Sequence, residues 1–127
     1  MKILIIDDDR FLTKSMERSL TKGGYDITVI NKASDIVGNM KKIKDYDLIL
    51  LDLMMRKPAD LDVRPEEETG EALFRSIRKL KKSMPVIIIT GKDKDDIKTK
   101  FSKINVQVLI KPFSSRFEDL YEAIRNV

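Results

Sequence analysis

Four apolar runs in this sequence each end on residues that can do chemistry. Ile3 to Ile6 leads into Asp7, Asp8 and Asp9; Leu48 to Leu51 into Asp52; Val86 to Ile89 into Thr90 and Gly91; and Val106 to Ile110 into Lys111 and Pro112. Carboxylates gathered at one place repel strongly, by about 4 kcal/mol for two charges 4 Å apart at an effective dielectric of 20. A bound divalent cation turns that repulsion into coordination, with carboxylates, a backbone carbonyl and waters around it. The chain has no histidine and no cysteine, so such a site must be built of oxygen. Oxygen ligands suit magnesium, calcium or manganese and not zinc or copper. A cation held there would neutralise the oxygens of a phosphoryl group, with Lys111 as a second positive charge and the Thr90 hydroxyl as a donor. Asp52 then remains as a nucleophile able to form an acyl phosphate, and Gly91 leaves space for the phosphoryl oxygens.

Each residue alone has a plainer explanation. Aspartates after strands commonly cap the next helix, Thr90 could serve a turn, and Lys111 could be an exposed charge. Their joint occurrence after four separate runs favours the chemical reading.

These residues can meet only if the runs are strands of one sheet with a common edge. The runs Ile3–Ile6, Ile27–Ile30, Leu48–Leu51, Val86–Ile89 and Val106–Ile110 predict five strands. Helical spacing links Leu12, Met16 and Leu20; Ile36, Met40 and Ile43; Leu73, Ile77 and Leu80; Ile97, Phe101 and Ile104; and Phe113, Phe117, Leu120 and Ile124. Strict alternation of strand and helix predicts a doubly wound α/β fold whose parallel sheet is covered on both faces. Ligands of such folds bind outside the carboxyl ends of the strands. The second strand ends in Asn31, which offers nothing comparable to the acidic or basic residues. Gly23-Gly24 should stop the first helix, and Pro85 marks the break before the fourth strand.

The 127 residues fit one domain. The irregular stretch from Arg56 to Glu68, part of an extended connection at about 53–68, exceeds the usual two to six residues or so of such a link. It reads equally as a mobile solvated loop or as a lid or partner contact beside the pocket. No apolar run reaches the roughly 20 residues of a membrane helix, and no secretory leader is evident, so a cytoplasmic location is expected. Lys and Arg number 25 against 21 Asp and Glu, a net charge of +4. The basic run Arg75, Arg78, Lys79, Lys81, Lys82 is spaced like the outer side of a helix and lacks interleaved aromatics, which speaks against nucleic acid.

Taken in order and at these spacings, ILIIDDD, DLILLDLMM, VIIIT and IKPF resemble the receiver domain of two-component response regulators over essentially the whole chain. The resemblance implies a flavodoxin-like (βα)5 fold of strand order 2-1-3-4-5. It implies that Asp7 and Asp8 bind magnesium, with manganese as an alternative, together with Asp52 and the backbone carbonyl of Met54. It makes Asp52 the phosphoacceptor, has Thr90 and Lys111 contact the phosphoryl group, and makes Lys111-Pro112 a cis peptide. Two departures stand out. Val108 occupies a position, three before the lysine, that is usually aromatic, and the chain makes a long excursion, with Arg56 in place of a proline, before Thr69-Gly70. The implied function is a phosphoacceptor switch, not a classical enzyme, with the chemistry kept and the readout atypical. Its donor would be the phosphohistidine of a sensor kinase or phosphotransfer protein. Its downstream partner would dock on the fourth helix, fifth strand and fifth helix, or on the long loop. Lys92, two residues after Thr90, is expected to hinder water attack on the acyl phosphate. No output domain follows Val127, so the chain is expected to act by docking or to be cut from a longer one. Two rivals are a haloacid-dehalogenase-like phosphatase with Asp7 as nucleophile, suggested by Asp7-Asp8-Asp9, and an interaction module independent of phosphorylation.

Overall fold

The computed structural model describes residues 1–91 and 95–127; the expectation for Lys92 lies outside the described residues. The chain alternates β1 (Lys2–Ile6), α1 (Arg10–Lys22), β2 (Asp26–Ile30), α2 (Ala33–Val37), β3 (Leu48–Asp52), α3 (Thr69–Leu80), β4 (Val86–Thr90), α4 (Asp95–Ser102), β5 (Gln107–Ile110) and α5 (Glu118–Arg125). The strands form one parallel sheet of order β2-β1-β3-β4-β5. This is the doubly wound arrangement expected from the alternation of elements.

Successive strand residues point to opposite faces, and both faces are apolar. Ile3, Ile5, Leu48, Leu50, Ile87 and Ile89 pack with Met16 and Leu20 of α1 and Leu120 and Ile124 of α5. Leu4, Ile6, Ile49, Leu51 and Ile88 pack with Ile36, Leu73, Ile77, Ile97 and Phe101 from α2, α3 and α4. Burying each such aliphatic side chain contributes about 1.5–3 kcal/mol, which fixes the register of the three central strands. That register sets Ile6 beside Leu51 and Asp52 beside Ile89, so the ends of β1, β3 and β4 share one edge. No helix among the described residues is long and apolar enough to cross a membrane.

Three helical expectations need correction. The spacing of Ile36, Met40 and Ile43 predicted one helix, but α2 stops at Gly38 and a separate 3-10 helix spans Met40–Asp45. Gly38-Asn39 breaks the helix, and the Asn39 side chain donates to the Asp35 carbonyl at 3.0 Å, while Ile36 and Ile43 still reach the same core. Ile104 lies beyond the end of α4, next to Asn105 at φ 59°, and is largely exposed. Phe113 and Phe117 precede α5; Phe117 takes φ 58° at its start and packs edge to face on Phe113 at 6.1 Å.

The long β3-α3 connection runs from Leu53 to Glu68 and is tied down. Met55 and Pro58 are buried and Leu61 packs on the core. Arg75 on α3 donates to the Asp62 carbonyl at 2.9 Å and to both carboxylate oxygens of Glu67. That forked hydrogen bonding holds the Glu67 carboxyl below its usual range. Arg78 lies over the Phe74 ring and donates to the Met84 carbonyl at 2.6 Å. Two residues of the basic run expected on an outer helix face are therefore structural ties.

Candidate functional site

Asp7, Asp8 and Asp9 follow β1 directly, and the fold gives them three different tasks. Asp9 caps α1, its carboxylate accepting from the Leu12 amide at 3.0 Å. Asp8 is exposed on the rim. Asp7 is fully buried, and its Oδ1 accepts from the Asp9 amide at 2.9 Å. Its other oxygen, Oδ2, lies 2.7 Å from Lys111 Nζ yet receives no well-aligned hydrogen bond. The ion pair is the dominant contact, since Coulomb attraction depends on distance more than on donor angle, and coordination capacity is left on that oxygen.

Asp52 ends β3 and is also buried. Its Oδ1 accepts from the Met54 amide at 3.1 Å, and its Oδ2 stands 3.5 Å from Lys111 Nζ. Burial, reinforced by the Asp7 charge and opposed by Lys111, raises the Asp52 carboxyl to about 7. Burial works to lower the Lys111 pKa, but the close contact with Asp7 Oδ2 and the charges of Asp52 and Asp7 together raise it. One lysine cation therefore faces two buried carboxylates.

Carboxylate oxygens of Asp7, Asp8 and Asp52 lie within 4.8 Å of one another. The donors are all oxygen, one is left without an aligned hydrogen bond, and the local charge is negative. This set fits a hard divalent cation such as magnesium. Above it opens a cleft of about 500 Å³ lined by Asp8, Asp9, Asp52, Met54, Gly91 and Lys111. A Cβ added at Gly91 would meet nothing within 4 Å. Thr90 lies at the same sheet edge, its carbonyl accepting from the Lys111 amide at 2.8 Å, but it is fully buried and does not line the cleft. The Lys111-Pro112 peptide is cis, as the resemblance implied.

Asn31 was passed over in the sequence because it carries no charge. Its amide nitrogen donates to the Asp7 carbonyl at 2.7 Å and to Thr13 Oγ1 at 3.0 Å. A carbonyl oxygen can only accept, so the amide nitrogen must face it. With the Asp7 amide donating to the Ile30 carbonyl at 3.1 Å, the acidic loop is clasped on both sides by the end of β2. The available signal was its place, directly after a strand at the edge where the site had to be.

A sequence model described as the response regulator receiver domain matches residues 3–125. The chain is 31% identical over 114 residues to the cell cycle transcriptional regulator CtrA of Caulobacter vibrioides, covering 89% of this chain and 45% of that protein. It is 26% identical over 126 residues to the uncharacterized transcriptional regulatory protein YbdJ of Bacillus subtilis, covering 99% of this chain and 50% of that one. It thus spans about half the length of these relatives. Among solved structures, the Francisella response regulator 1452 receiver domain superposes with a TM-score of 0.74 at 28% identity, covering 98% of this chain and 91% of that one.

Proposed function

This chain belongs to the response regulator receiver domain family, and on that premise we propose that residues 1–127 form one receiver unit that takes a phosphoryl group onto Asp52 from a partner's phosphohistidine. The observation that carries this reading is the convergence of Asp7, Asp52 and Lys111, with Asp52 on an open cleft and Asp7 outside its lining. The carboxylates of Asp7, Asp8 and Asp52 and the Met54 carbonyl would hold magnesium. When bound, the ion supplies positive charge against the phosphoryl oxygens and favours the ionised form of Asp52.

An Asp52 carboxylate oxygen attacks phosphorus, forming a P–O bond as the P–N bond to the donor imidazole breaks. The bonding pair stays on the imidazole nitrogen, which takes up a proton from its surroundings. Asp52 must be ionised to attack, and at a pKa of about 7 the Lys111 cation helps to keep it so. Lys111 then pairs with the phosphoryl oxygens, and the Thr90 hydroxyl, buried beside the cleft, turns toward them to donate. The product carries about two negative charges where one carboxylate stood. That change alters the pull on Lys111 and Thr90 and biases the surface of α4, β5 and α5, where a downstream protein would dock. Val108, half-buried against the α2-α3-α4 core, replaces the usual aromatic residue in that relay.

The test is location of the label. After incubation with magnesium and phosphoramidate, borohydride trapping and peptide mapping should place the acyl phosphate on Asp52. A label on Asp7 with turnover of a generic phosphate ester would support the phosphatase reading. Absence of any label would support a module independent of phosphorylation.

A further inference from the structure

Beside the acidic cleft lies a second one of about 470 Å³, and the two share Asp8. Its cations come from three separate segments: Arg10 at the start of α1, Lys32 after β2, and Arg56 and Lys57 from the long β3-α3 connection. All four are exposed, and among the described residues none forms an ion pair. Among the described residues Asp8 is the only acid in the lining, so this wall is strongly cationic while the adjoining phosphoacceptor pocket is anionic. Nothing in the phosphoryl transfer above uses these four residues.

The connection that supplies Arg56 and Lys57 is held in place. Its own Met55 and Pro58 are buried, and Arg75 fixes its far limb through Asp62 and Glu67. A fixed backbone presents the two cations to the cleft at reduced ordering cost.

We propose that this cationic cleft docks an acidic segment of the phosphodonor protein and so guides its phosphohistidine past Asp8 to Asp52. The inference rests on the phosphoacceptor reading above and adds to it the chemistry of the partner. Long, exposed side chains from three separate segments suit an extended polyanion and not one compact anion. No aromatic lines the cleft to stack a base, and a concave space of this size does not receive a duplex. A row of peptide carboxylates fits both the charge and the shape, and it would raise the rate of encounter through long-range attraction.

The test uses a fluorescein-labelled all-glutamate peptide, with an all-glutamine peptide, inorganic phosphate and a short DNA duplex as competitors. The expected result is saturable binding of the glutamate peptide, with amide shifts at Arg10, Lys32, Arg56 and Lys57. Affinity should fall about ten-fold or more in the double variant Arg56→Glu/Lys57→Glu, and also in Lys32→Glu on a different segment. It should vanish near 0.5 M salt, where the screening length is roughly 4 Å. Undiminished binding in both variants, no binding to wild type, or tighter binding of phosphate or duplex at the same residues would overturn the proposal. Phosphoramidate labelling of Asp52, which involves no acidic peptide, should survive in all variants. Its loss from wild type would instead overturn the phosphoacceptor reading.

Discussion

Gly70 and Asp52 are packed backbone to backbone: a Cβ at Gly70 would stand 2.9 Å from the Asp52 carbonyl carbon and overlap the Asp52 oxygen and Leu53 Cα. The Gly70 amide donates to the Leu53 carbonyl at 2.9 Å. The long connection therefore leaves β3 and returns to it at nearly the same point, and its length does not disturb the carboxylate at its base. Gly70→Ala should destabilise the chain by about 3 kcal/mol or more, because backbone atoms must move. Gly91→Ala, with open space around its Cβ, should change stability by less than about 1 kcal/mol. Denaturant unfolding of both variants separates the two cases, and equal stability would contradict the close approach.

Without metal, Asp52 titrates near 7 in the folded chain against an ordinary 3.8. A raised carboxyl pKa means that the folded state keeps a proton the unfolded chain has released. The linked stability is therefore intact below about pH 4 and lost as pH rises to 7, by a quantity on the order of 4 kcal/mol at most. Asp52→Asn escapes this loss. In the presence of a chelator, its advantage over wild type should be near zero at about pH 4 and widest above pH 7, and magnesium should narrow it. An advantage that stays flat with pH would contradict the crowding of Asp7 and Asp52.

Lys111→Met removes the cation between two buried carboxylates. At neutral pH it should cost about 1–3 kcal/mol of stability, with a smaller loss in acid as the carboxylates take up protons. Labelling by phosphoramidate should slow by about 100-fold. Unchanged labelling would show that Lys111 does not meet the phosphoryl group.

Asn31→Ala leaves the Asp7 carbonyl without its side-chain donor and should cost about 1–2 kcal/mol. Asn31→Asp should cost more without metal, since a carboxylate cannot donate to that carbonyl and adds a negative charge beside the acidic loop. Denaturant unfolding of the two variants in a chelator checks the order; wild-type stability in both would remove Asn31 from the support of the site.

The parallel sheet was legible because the runs Ile3–Ile6, Leu48–Leu51 and Val86–Ile89 are continuously apolar, as strands covered on both faces require, whereas the strand order followed from the family resemblance and not from that pattern. Helix limits were less so. A run such as Ile36, Met40, Ile43 keeps its apolar side whether the backbone is one α-helix or two short turns, so periodicity could not see the break at Gly38. Charge marked Asp7, Asp8, Asp52 and Lys111, whereas Asn31 acts through an amide and a backbone carbonyl, which charge patterning does not register. Nor could spacing tell that Asp9 caps α1 while Asp7 faces Lys111, because consecutive residues after a strand diverge only once the loop is folded.

On the proposed function, Asp52 alone takes the phosphoryl group. Intact-mass measurement after incubation with magnesium and phosphoramidate addresses it most directly, with wild type and Asp52→Asn treated side by side. The wild type should gain a single phosphoryl group and the variant none. Equal labelling of the two, or an unlabelled wild type, would contradict it.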